Sequence, residues 1–168
     1  RTRTNQVEAE AVVAEVCRRM KAGETPPSLG VVSASMPQQQ LIEELIEAAR
    51  REDGVLDARL SEETMEPLFV KNLENVQGDE RDVILFTVGY GPDVDGKVSM
   101  NFGPLNREGG ERRLNVAITR SRCEMVVFTS LRPEQIDLSR TRAVGVAQLK
   151  SYLDYAARGP AVLAGRLG

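Results

Sequence analysis

Residues 82–88 read Asp-Val-Ile-Leu-Phe-Thr-Val, a strand-forming run in which polar and apolar residues fail to alternate. A strand with one face in water alternates with a period of two, so an uninterrupted apolar run is buried on both faces. The usual solution is a parallel sheet covered by helices on each side, which restricts the fold class to α/β. The rest of the chain falls into the matching order. Asn5 is a good N-cap, and Val12, Val13, Val16 and Met20 recur at helical spacing, predicting a helix over 5–21 that Gly23 and Pro26-Pro27 end. Residues 28–34 (SLGVVSA) read as a strand, and Leu41, Ile42, Leu45 and Ile46 restore helical spacing after Pro37. Residues 50–66 are charged and show no clear period. The run PLFVK predicts a further strand, with NLENVQGDER as the loop before the apolar one. Eight Gly and Pro residues from Gly89 to Gly110 then punctuate a long irregular segment, a kind of loop that is more often functional than idle. A helix within GGERRLNVAITRSR, the strand EMVVFT and a last helix carrying Leu149, Tyr152, Leu153 and Ala156 complete the alternation.

At 168 residues, 41% hydrophobic and 28% charged, the chain is long enough for one core and short for two domains. The absence of histidine removes His triads, His general bases and His-ligated metals. Cys17 and Cys123 match no metal or redox spacing and suit a reducing compartment, so the expected location is cytoplasmic. No basic-then-apolar leader and no run of eighteen apolar residues occurs, so neither secretion nor a membrane partner is expected. Starting at Arg1, the chain reads as a fragment of something longer. A net charge of -3 makes any nucleic-acid contact local.

The stretch GGERRLNVAITRSR places Arg112, Arg113, Arg120 and Arg122 on what reads as one short helix. On such a helix Arg113 and Arg120 point the same way, about 10 Å apart along the axis. Leu114, Ala117, Ile118 and Ser121 would form the adjacent stripe on the sheet. Arg120 and Arg122 can be read simply as cations at the negative end of the helix dipole. Arg112 and Arg113 fit that reading poorly, because the dipole disfavours cations at a helix start; an anionic ligand such as a phosphate, or a carboxylate-rich neighbour, is the natural alternative.

The words RRLNVAITRSR closely resemble motif VI of superfamily 1 helicases, of the 1B type, with Ser121 where that family usually has Ala. The resemblance implies that Arg120 is an arginine finger reaching the γ-phosphate of ATP held by the partner domain. NVQGDERDVILFT resembles motif V, with Gln77, Gly78, Glu80 and Asp82 matching Gln-Gly-x-Glu-x-Asp. Gly78 would let the backbone turn beside the nucleotide, and Glu80 would face its ribose or phosphate end. GVVSASMPQQQLIEEL resembles motif IV, with Gln38 as the nucleotide-side match. Many members carry a second phosphate-reaching arginine two residues later, where this chain has Gln40; Arg113 is then the candidate substitute. TNQVEAEAVV resembles the Asn-x-x-Glu-Ala helix that precedes motif IV, so the resemblance spans residues 4–129. For the nucleic acid, family position favours Ser33, Ser35 and Asn72. Tyr90 and Phe102 lie in the glycine-rich loop, where each would either stack on a base or pin the loop to the core.

No Gly-x-x-x-x-Gly-Lys-Ser/Thr occurs, and Asp79-Glu80 precedes its strand, which is the wrong order for a Walker B acid. Gly89-Tyr-Gly91 lacks the third glycine of a dinucleotide fingerprint. The expected protein is thus the second, C-terminal RecA-like domain of an ATP-dependent helicase or translocase. It is a P-loop NTPase-type, mainly parallel sheet flanked by helices, with residues 1–28 as opening helix and linker and 140–168 as last helix and tail. The implied cofactor is ATP, with Mg2+ held mainly by an N-terminal RecA-like domain of the same chain. The implied partners are that domain and single-stranded or duplex nucleic acid, DNA ahead of RNA; the fragment alone is expected to be inactive. The competing reading is a non-hydrolysing binding or docking module that keeps the fold, with an unrelated doubly wound enzyme a distant third.

Overall fold

A computed structural model describes residues 4–158. Four strands, β1 (Leu29–Ser33), β2 (Phe69–Asn72), β3 (Arg81–Thr87) and β4 (Ser121–Phe128), form a sheet in the order β2-β1-β3-β4, and every pairing is parallel. Helices α1 (Gln6–Met20) and α2 (Met36–Glu52) cover one face, and α4 (Gly110–Ile118) and α5 (Val144–Arg158) the other, with α3 (Gly54–Ser61) beside α2. This is the expected RecA-like α/β domain.

The two-sided burial of β3 is direct. Val83 and Leu85 pack with Val12, Val16, Val31, Ile42 and Ile46 under α1 and α2. Ile84 and Phe86 pack with Leu114, Ala117, Leu149 and Leu153 under α4 and α5. Each such side chain contributes roughly 1.5–3 kcal/mol on burial, which is why the run tolerates no polar alternation. Asn5 caps α1 by accepting from the Glu8 N–H, and Ser35 caps α2 with Pro37 in the first turn. The unpatterned stretch after residue 50 holds the short α3, which the Asp53 cap starts and buried Leu56 anchors.

One expectation fails in a way that matters for the site. Helix α4 stops at Ile118 and does not run on through Arg122. The Arg81 N–H donates to the Arg120 carbonyl at 3.1 Å, and β3–β4 pairing starts with Arg81 opposite Ser121. Extending the helix would forfeit that ladder, so the sheet decides the boundary. Arg112 and Arg113 lie in the first turn of α4, Arg120 in the turn after it, and Arg122 in β4. Ser121, expected on the helix stripe, is likewise a strand residue.

The long segment after β3 contains a 3-10 turn, Gly103–Asn106, and Phe102 beside it is fully buried, edge-on to Tyr90 at 5.3 Å. Of the two roles open to Phe102, burial leaves pinning the loop. A Cβ on Gly110 would stand 2.6 Å from the Leu105 carbonyl oxygen, and one on Gly145 2.4 Å from the same atom. These glycines let the starts of α4 and α5 close on the 3-10 turn. Among the described residues no helix is long and apolar enough to cross a membrane.

Candidate functional site

The residues singled out above fall at two ends of the sheet. At the end where β3 and β4 begin, the Gln77–Glu80 turn and Arg120 come together. Gly78 has φ of +78°, the left-handed conformation expected of it, and Gln77 and Glu80 are exposed. Asp79 is ion-paired with Lys71. That hydrogen bond holds its carboxyl below the ordinary value, and Arg120 contributes a smaller lowering through its charge. Arg120 is half-buried; its Nε donates to the Val116 carbonyl at 3.0 Å and its Nη2 to Thr119 Oγ1 at 3.2 Å. The guanidinium thus lies on the C-terminal end of α4, as the dipole reading expected, yet it uses two of five N–H donors and has no carboxylate partner among the described residues.

Arg122 behaves differently. It reaches Glu66 at 2.5 Å, Asp82 at 3.1 Å and the Ser28 hydroxyl at 3.2 Å. The Glu66 and Asp82 carboxylates push its pKa up, and their own are held below the ordinary range mainly by Arg122. It is a clamp joining the starts of β1, β3 and β4, not a helix-end cation, and it occupies the Asp82 carboxylate. Arg113 donates to the Glu108 carbonyl at 3.2 Å and has no ion pair among the described residues. Arg113 lies in the first turn of α4 and bonds a carbonyl just before it, whereas Arg120 bonds Val116 and Thr119 at the other end of the helix, so the two guanidinia are not side by side.

The other end of the sheet gathers Ser33, Ser35, Gln38 and Asn72, all buried. The seven residues of β3 put roughly 20 Å between this group and the Arg120 end, so Gln38 is not beside the other nucleotide candidates. The Ser33 hydroxyl donates to the Ser35 carbonyl and accepts from the Ser35 N–H, the strand-end cap that is the plainer role for it. Asn72 Nδ2 donates to Gln39 and its Oδ1 accepts from the Glu74 N–H. Gln38 grips the Asn5 backbone, with Oε1 accepting from N–H at 2.7 Å and Nε2 donating to C=O at 3.0 Å.

A residue not singled out from the sequence organises this end. Glu8 is 4% exposed. Its Oε1 accepts from Thr87 Oγ1 and the Gly89 N–H, and its Oε2 from Asn5 Nδ2 and the Ser130 N–H, all at 2.9 Å. Burial pushes its pKa up, and these hydrogen bonds oppose the rise. Its signal in the sequence is the Asn5-x-x-Glu8-Ala9 word already matched to the helix before motif IV, which as local chemistry reads like an ordinary capping box and gives no sign of the buried network. Beside this network opens a cleft of about 940 Å³ lined by Asn5, Gln6, Tyr90, Lys97, Ser99 and Asn101 among others. Among the described residues no group of three or more His, Cys, Asp or Glu is placed to hold a metal.

A protein family described as "AAA domain" matches residues 1–132, most of the chain. An uncharacterized ATP-dependent helicase of Mycoplasma genitalium, MG140, is 37% identical over 155 residues, which are 90% of this chain and 13% of that protein. Its homolog in Mycoplasma pneumoniae is 36% identical over 159 residues, 92% of this chain and 14% of the relative. The chain therefore spans about a seventh or less of the curated relatives it matches. With the parallel sheet, the Gln-Gly-Asp-Glu turn and the Arg-Arg-Leu-Asn-Val-Ala helix in place, the chain belongs to the AAA-domain family found in superfamily 1 helicases.

Proposed function

We propose that this chain is the second RecA-like half of an ATP-dependent helicase or translocase, and that Arg120 is its arginine finger. One observation carries the reading: Arg120 and the Gln77–Glu80 turn sit at the same end of the sheet, tied by the Arg81–Arg120 backbone bond, and Arg120 keeps donors uncommitted to any carboxylate. The set suits a nucleotide: the Arg120 guanidinium and the exposed Gln77 amide can donate to phosphate oxygens, and the exposed Glu80 carboxylate can accept from a ribose hydroxyl. ATP supplies the phosphoryl group transferred to water. Arg120 stabilises the charge that builds on that group, and Gln77, Gly78 and Glu80 orient the nucleotide. Arg113, in the first turn of α4, is a second cation for the nucleotide once the partner domain closes.

Magnesium would be held by the N-terminal RecA-like domain. Asp79, an acid that feels the Arg120 charge, is already engaged by Lys71. Single-stranded nucleic acid, DNA ahead of RNA, crosses the opposite end of the sheet. There Ser33, Ser35, Asn72 and Gln38 act by holding the strand ends and loops in shape, which their burial favours. Closure of the two domains on ATP brings the finger into place and opening follows hydrolysis.

The test is ATP turnover by the full-length parent, with single-stranded DNA, with single-stranded RNA and with neither, for the unaltered protein and Arg120→Ala. Nucleic acid should stimulate turnover. The substitution should lower kcat by about three to five powers of ten, about 4–7 kcal/mol, while ATP binding persists. Turnover indifferent to Arg120 removes the finger. A parent that binds nucleic acid and hydrolyses nothing is a docking module.

A further inference from the structure

Arg81 is 8% exposed and makes no ion pair among the described residues. A buried charge persists only where a counter-charge or hydrogen bonds replace its water. Here backbone carbonyls do so. Its Nε and Nη2 both donate to the Pro67 carbonyl, at 3.0 and 2.8 Å, and its Nη1 donates to the Glu80 carbonyl at 2.7 Å. The guanidinium also lies over the Phe69 ring, 4.9 Å from its centroid. The pattern Gln-Gly-x-Glu-x-Asp leaves this position open, so the motif does not account for an arginine there.

Phe69 and Lys71 alternate along β2 and so share one face. Lys71 Nζ stands 5.4 Å from the same ring centroid and pairs with the Asp79 carboxylate. The ring has room because residue 30 is glycine: a Cβ there would lie 2.5 Å from Phe69 Cζ. One ring thus carries two cations, and each cation grips one residue of the Gln77–Glu80 turn. Lys71 takes the Asp79 carboxylate, and Arg81 takes the Glu80 carbonyl.

The same arginine reaches the other half of the site through its backbone. Its N–H donates to the Arg120 carbonyl at 3.1 Å. Arg81 stands opposite Ser121 but Val83 opposite Glu124, so β4 carries one residue more than β3 at this point. Such a bulge re-aims the chain and breaks the ladder, leaving the Arg81–Arg120 bond on its far side. What holds Arg81 therefore also sets where the Arg120 backbone lies.

We propose that Arg81 is a positioning residue for ATP turnover: clasped to the Pro67 carbonyl and the Phe69 ring, it keeps Glu80 and Arg120 in one fixed relation. The inference rests on the reading of Arg120 as the finger.

The experiment uses the full-length parent and measures single-turnover ATP hydrolysis with single-stranded DNA or RNA, whichever stimulates it. Arg81→Lys keeps the charge and loses the planar fork; Phe69→Leu keeps Arg81 and removes the ring. Each is made alone and together with Arg120→Ala. Native-state hydrogen exchange at the residue-81 amide is followed in the single variants. Each single variant should slow hydrolysis by about 100-fold, the loss that a misplacement of about 1 Å produces. In the Arg120→Ala background neither should change the rate by more than about twofold, because the group it positions is gone. The residue-81 amide should exchange faster while amides of the β1–β3 ladder stay protected. Unchanged hydrolysis in both single variants would overturn the inference. So would factors that multiply in the double variants, or exchange that rises equally in the β1–β3 ladder, since either makes Arg81 a support of the fold alone. If Arg120→Ala by itself leaves hydrolysis unchanged, the finger reading falls and this inference with it. If Arg120→Ala is slow and the Arg81 and Phe69 variants are not, only this inference falls.

Discussion

Replacing Glu8 with Gln is the sharpest probe of the sheet end that carries the buried network. The Gly89 N–H and the Ser130 N–H are each 2.9 Å from a carboxylate oxygen, but from different ones. A flip of the Asn5 amide would forfeit its cap bond from the residue-8 N–H, but Thr87 can rotate its hydroxyl and so adapt to a glutamine. The two backbone N–H groups cannot. Whichever way the Gln amide is set, its NH2 faces one of them, and that donor loses a bond to a charged acceptor worth roughly 1.5–3 kcal/mol. Because 1.4 kcal/mol is a factor of ten, local opening there should become about 10- to 100-fold more frequent. Native-state hydrogen exchange on the full-length protein reads this directly. One of the two amides should exchange faster by that factor, while amides in the β1–β3 ladder stay unchanged. Unaltered exchange at both Gly89 and Ser130 would refute the claim that an ionised carboxylate holds these loops.

The same residue sets a pH dependence. Its folded pKa is raised above 4.5 by burial, so the native state binds the proton more tightly. The stabilisation is present below the unfolded value and lost as pH rises through the folded one; Glu8→Gln should abolish that decline in a denaturation series. Glu15 does the reverse: its hydrogen bond to Arg18 takes it down to about 2, so its contribution is lost between about pH 4.5 and 2. Arg122→Leu should lower Tm while leaving nucleic-acid-stimulated ATP turnover at the unaltered level, the opposite of Arg120→Ala. Gly110→Ala or Gly145→Ala forces a methyl group against the Leu105 carbonyl and should cost about 1–3 kcal/mol in thermal unfolding; equal Tm values would show that the helix starts can separate freely.

Much of the fold is legible in the residues themselves because its signals are local. The unbroken apolar run of β3, the Asn5 and Ser35 caps and the helical spacing of α1, α2 and α5 each report on a neighbourhood of a few residues. The motif words likewise carry the family, and with it Arg120. Helix α3 is missed because its burial rests on Leu56 alone, too little to print a period on a charged stretch.

What the sequence determined was the alternation of elements, the parallel sheet and the family words that contain Arg120, the proposed finger. What only the tertiary structure decided is where those residues end up. Pairing of β4 with β3 cut the arginine helix at Ile118, separating Arg120 from Arg122 and making the second a structural clamp. Folding carried Gln38, Ser33, Ser35 and Asn72 to the end of the sheet opposite Arg120 and buried them. It also assembled around Glu8 four donors drawn from Asn5, Thr87, Gly89 and Ser130. Hydrogen bonds that reach 79 to 122 residues along the chain, as those to Thr87, Gly89 and Ser130 do, leave no periodicity in it, since only chain closure brings their partners within reach.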